Sequence, residues 1–143
     1  MLREGETDAP KGLKDALAQG NRLQDIQIAE MKAGRTGNQV LASALHRAKD
    51  EGLRPSLYTH PLGVHGHAAG TLIGMWDMQN GVPGVGDYPF FDDTVHSIEL
   101  NVTATVPEWG TQDVRIPLEQ DAVLTKDGVK FLDQRQTTLH LIR

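Results

Sequence analysis

The spacing of apolar residues changes once along this chain, near Pro55, and that change fixes the class of fold. Before it, Leu13, Ala16, Leu17, Leu23, Ile26 and Ala29 recur at helical intervals with charged and amide residues between them. The pattern predicts a helix over about residues 10–31, started by Asp8 and Pro10 and ended by Gly34. A capping box at Thr36-Gly37-Asn38-Gln39 opens a second helix. Its buried stripe is Val40, Leu41, Ala44, Leu45 and Ala48, and Gly52 stops it. After Pro55 the runs become short and β-like, separated by Gly and Pro: Ser56–His60, Thr94–Val106, Asp113–Glu119, Ala122–Thr125, Val129–Leu132 and Thr137–Ile142. Lys126-Asp127-Gly128 reads as a tight turn. Helices first and an antiparallel sheet afterwards make an α+β fold, two helices packed on a sheet.

At 143 residues the chain suits one domain. No window approaches the ~18 consecutive apolar residues of a membrane span. A net charge of −5 disfavours phosphate backbones and anionic lipid, so neither nucleic acid nor membrane is an expected partner. The absence of Cys removes thiol nucleophiles, iron–sulfur clusters and Cys-zinc sites, leaving His and carboxylates as the only metal ligands.

Two places could carry chemistry. In Thr94–Val106, alternation puts His96, Ile98, Leu100, Val102 and Ala104 on one face and Val95, Ser97, Glu99, Asn101 and Thr103 on the other. In Asp113–Glu119, Arg115 and Glu119 share the polar side. Such faces are either the solvated side of a half-exposed sheet or the lining of a carboxylate cleft. The second place is Thr59–Gly70, where His60, His65 and His67 are interleaved with Gly. His65 and His67 could pair on a metal, as in an unrelated small metal-binding β-domain, or could be ordinary surface histidines. HExxH, GxGxxG, Walker and GxSxG motifs are absent, and Asp92-Asp93 reads as loop polarity.

The order of these pieces resembles the pita-bread metallopeptidases, the creatinase, aminopeptidase P, prolidase and methionine aminopeptidase family. The resemblance runs from about Leu23 to the end of the chain. A helix pair is followed by His60, by Gly63 three residues later and by His67 seven later; Ser97-Ile98-Glu99 stands where the family has Thr-Ile-Glu; Val114-Arg115-Ile116 and Glu119 precede Val123-Leu124-Thr125-Lys126-Asp127-Gly128. The resemblance implies that His60, Glu99 and Glu119 are ligands of a dinuclear Mn, Co or Zn centre, with Glu119 bridging. It implies further that Glu99 doubles as general base, that His67 binds the substrate carbonyl and the tetrahedral intermediate, and that Arg115 orients a carboxylate ligand. The substrate would be a peptide, cut near its amino terminus, of the Xaa-Pro type.

The sequence also departs from the family. Ala68 follows the second His, Ser56 stands four residues before His60, and Arg115 is four rather than two residues before Glu119. Proline specificity is therefore open. The family's two Asp ligands, on a strand pair ahead of the first long helix, have no counterpart here. The chain is thus expected to be the carboxy-terminal part of a catalytic domain whose metal site is incomplete, binding metal weakly or not at all and inactive alone. A half-fold would expose a sheet edge, making a homodimer plausible. A non-catalytic pita-bread module that binds peptide or protein is the rival reading. Met1–Glu6 has no signal-peptide apolar region, which leans the expected compartment towards the cytoplasm, although a targeting signal could lie in the missing part.

Overall fold

The computed structural model describes residues 1–142. Helix α1 spans Lys11–Glu30 and α2 spans Gly37–Asp50. Strands follow as β1 (Pro55–Leu57), β2 (His60–Pro61), β3 (Thr94–Val106), β4 (Gln112–Thr125) and β5 (Gly128–Phe131). All pair antiparallel in one sheet, in the order β1-β3-β4-β5, with β2 beside β1 on the same edge of β3.

Leu17, Leu23 and Ile26 of α1 and Val40, Leu41 and Ala44 of α2 are buried in one core with Ile98, Leu100, Val102, Ile116, Leu118 and Leu124 of the sheet. The helices therefore cover one face, and alternation sends the other half of each strand's side chains to the opposite, open face. Thr36 caps α2 through the expected reciprocal box, its hydroxyl accepting from Gln39 N and Gln39 Oε1 accepting from Thr36 N.

Three expectations are corrected. Asp8 does not cap α1: its Oδ1 accepts from Ala9 N, and the Gly12 amide is instead satisfied by Glu108 Oε1 at 3.0 Å, from the turn after β3. Asp113–Glu119 and Ala122–Thr125 are one strand. The apparent break falls at Gln120, an inward position occupied by a polar side chain, whose amide oxygen accepts from the buried Gln24 of α1. Thr137–Ile142 is not a strand. Just before it, Arg135 is fastened to α1 by Gln24 Oε1, Asp25 Oδ1 and Asn21 O, which holds the chain beside the helix and away from the sheet ladder.

Candidate metal centre

The pairing registers assemble the site row by row on the open face. His60 of β2 stands opposite Ser97 of β3, which stands opposite Asp121 of β4. In the next row Glu99 stands opposite Glu119, and two rows further on Thr103 faces Arg115. The two short strands β1 and β2 keep one register against β3, so Ser56–His60 behaves as one run interrupted at Tyr58-Thr59. Thr59 points into the core at the interruption. Its hydroxyl accepts from Gln27 Nε2 at 2.6 Å and from Glu99 N at 3.1 Å and donates to Glu99 O at 3.1 Å, tying the Glu99 backbone to α1.

His60, Glu99 and Glu119 each offer a ligand atom, and these atoms all lie within 4.8 Å of one another. The His60 side chain is only 10% exposed. Its Nδ1 lies 3.1 Å from the Pro61 carbonyl, an acceptor, so the neutral ring carries its proton there and presents a bare Nε2. That nitrogen sits 3.4 Å from Glu99 Oε2. Glu99 and Glu119 are like charges directly across a ladder, an arrangement that costs stability in the absence of a cation. Burial, and then the Glu119 charge, push the Glu99 carboxyl above its ordinary range, against the opposing pull of His60 and His67. A bare imidazole nitrogen between two carboxylates, with no donor among them, is the donor set of a borderline or hard divalent cation. The residues present fit such a metal.

The His60-x-x-Gly63 spacing has a steric cause. A Cβ at Gly63 would lie 2.8 Å from Ala68 Cβ and 2.9 Å from His67 O. The chain folds back on itself there, Ala68 N donating to Pro61 O, and His67 is laid over His60 with ring centroids 4.0 Å apart and planes 12° from parallel. His65 is exposed in the left-handed region (φ 72°) and is no part of the convergent cluster. Asp92 and Asp93 lie in an exposed turn.

His60, His67 and Glu99 border a cleft of about 460 Å³ that Tyr58, Trp76 and Arg115 also line. Glu99 is the carboxylate in this hollow, and Glu119 lies exposed on the sheet face beside it. Arg115 reaches this cleft, and the contacts of Glu119 and Asp121 go instead to Ser97, whose Oγ is 2.9 Å from Glu119 Oε1 and 2.9 Å from Asp121 Oδ1. Asp121 escaped sequence reasoning because it fell between two supposed strands; two-residue parity from Glu119 would have found it. Trp76, 76% exposed, escaped because its turn has no regular period. Gln79 holds that turn to β1, its side chain accepting from Leu57 N and donating to Leu57 O and Met75 O.

No protein-family model matches the sequence, and no curated protein does. Among solved structures, the X-Pro aminopeptidase of Thermotoga maritima MSB8 is similar at a TM-score of 0.60 and 22% identity, over 93% of this chain and 33% of that one. The chain spans about a third of the length of that protein. What the two share is the fold: two helices and an antiparallel sheet arranged as in part of an aminopeptidase.

Proposed function

We propose that this chain is the carboxy-terminal part of a pita-bread metallopeptidase catalytic domain, and that the whole protein hydrolyses a peptide bond of the Xaa-Pro type near the substrate's amino terminus. The observation that carries this reading is the convergence of ligand atoms of His60, Glu99 and Glu119 within 4.8 Å. These three would hold part of a dinuclear Mn, Co or Zn centre. When bound, the metals supply a water acidic enough to ionise near neutral pH. Glu99, on the open face beside His60, would accept the proton of the attacking water. His67, exposed beside the cleft and kept in place by its stack on His60, donates a hydrogen bond to the substrate carbonyl as negative charge develops on it. Arg115 lines the same cleft and adds a positive charge to the wall that carries Glu99.

The test is release of the amino-terminal residue from Xaa-Pro dipeptides by the full-length protein supplied with Mn²⁺. Turnover is expected, with a loss of at least ~100-fold on Glu99→Gln, whereas residues 1–143 alone are expected to be inactive. No turnover with any divalent ion would favour the non-catalytic peptide-binding module, a reading that draws support from the exposed Trp76 on the cleft wall.

A further inference from the structure

We infer that Ser97 is a positioning residue for Glu119 and that Asp121 is its counterweight, so that the cation-holding face extends one row beyond His60, Glu99 and Glu119. This inference rests on the cation reading of that site. Ser97 is 2% exposed, and its Oγ lies at the same 2.9 Å from Glu119 Oε1 and from Asp121 Oδ1. A hydroxyl has one proton to give and here faces two carboxylate oxygens, both acceptors when ionised. It can satisfy only one at a time. The other oxygen is left beside a lone pair, on a face that already carries the Glu99 and Glu119 charges opposite each other.

The register explains why the hydroxyl stands where it does. Ser97 is flanked across the ladders by His60 on one side and Asp121 on the other, and Glu99 and Glu119 form the adjacent row. Engaging Oε1 fixes the plane of the Glu119 carboxylate and leaves its second oxygen to complete the cluster with His60 Nε2 and Glu99. Asp121 draws the same proton from the far side. With Oε1 held by the Ser97 hydroxyl, the second Glu119 oxygen stays turned toward the cluster where a cation would sit. Arg115, the residue whose charge would suit the same task, stands two rows away opposite Thr103. Partners that orient a ligand in this way typically alter metal affinity 10–100-fold when removed.

The test titrates the full-length protein with Mn²⁺, following free ion by its electron paramagnetic resonance signal, for the unaltered protein and for His60→Ala, Ser97→Ala, Ser97→Thr and Asp121→Asn, with circular dichroism melts of each. The expected pattern is loss of binding in His60→Ala, roughly 10-fold weaker binding in Ser97→Ala, a smaller weakening in Asp121→Asn, and affinity within about 2-fold of the unaltered protein in Ser97→Thr, which keeps the hydroxyl. Unaltered melting of Ser97→Ala with weakened Mn²⁺ binding separates positioning from a general loss of structure. Binding lost in His60→Ala but unchanged in Ser97→Ala would overturn this inference and leave the cation site standing. An unaltered protein with no affinity for Mn²⁺ would overturn both.

Discussion

Two side chains within one strand give the molecule opposite responses to pH. His96 is buried at 3% exposure, its Nε2–H donating to Thr94 Oγ1 and its Nδ1 without a partner. Burial, reinforced by the neighbouring His60, lowers its pKa from 6.5 to about 4. The unfolded chain therefore takes up a proton on this residue before the native one does. Stability from this group is full above the unfolded pKa and is lost as pH falls through the interval down to about 4, by roughly 3 kcal/mol in all. Glu99 works the other way. Its folded pKa is raised above 4.5, so the folded metal-free chain is favoured while the carboxyl is protonated and loses stability as pH rises through the folded value. Denaturant melts across pH should show both. His96→Leu is expected to flatten the acid limb, whereas Glu99→Gln should stabilise the metal-free chain at neutral pH by on the order of 0.5 kcal/mol and have no effect below the ordinary carboxylate pKa. Equal effects of Glu99→Gln at both pH values would contradict the assigned cause.

At the scale of elements, tight approaches decide which sequence signals were readable. The Thr36 capping box was legible because both partners lie within four residues of each other. What the box does not reveal is the contact beside it: a Cβ at Gly37 would drive into the backbone carbonyl of Leu72, which cannot move away as a side chain can. Gly37→Ala is therefore expected to cost about 3 kcal/mol or more. Gly34→Ala, in open space but at φ 84°, should cost only about 1 kcal/mol. Thermal melts of the two variants would test the difference, and equal losses would mean that α2 can shift off Leu72. Strand β3 was legible to the residue because apolar and polar residues alternate without a break from Ile98 to Val106. Strand β4 was not, because the inward Gln120 finds its partner Gln24 almost a hundred residues away. The same long-range pairing hid the true cap of α1, since nothing local marks Glu108 as the acceptor for Gly12. The terminal run Thr137–Ile142 has strand-like composition, but the Arg135 anchors commit the chain to α1 first.

Across the whole molecule, the two helices seal one side of a single sheet and leave the other side to chemistry. The candidate residues were legible because sheet parity depends on counting alone: Glu99 and Glu119 fall on the open face in either strand taken separately. Their meeting with His60 was legible only through the resemblance, because β2 and β3 are separated by the loop from Leu62 to Asp93, which has no period to read. Ser97 was placed on the correct face but without a task, and Asp121 was not placed at all. Among the described residues no helix is long and apolar enough to cross a membrane. The similarity to the Thermotoga protein covers 93% of this chain, so the sheet and its open face belong to the shared fold. The account stands or falls on whether that face holds a cation between three named side chains. Crystals of the full-length protein soaked in Zn²⁺ and measured at the zinc absorption edge would test it most directly. The account predicts an anomalous peak about 2.0–2.1 Å from His60 Nε2 and in contact with oxygens of Glu99 and Glu119; a peak held by His65 and His67 instead, or none on the open face, would contradict it.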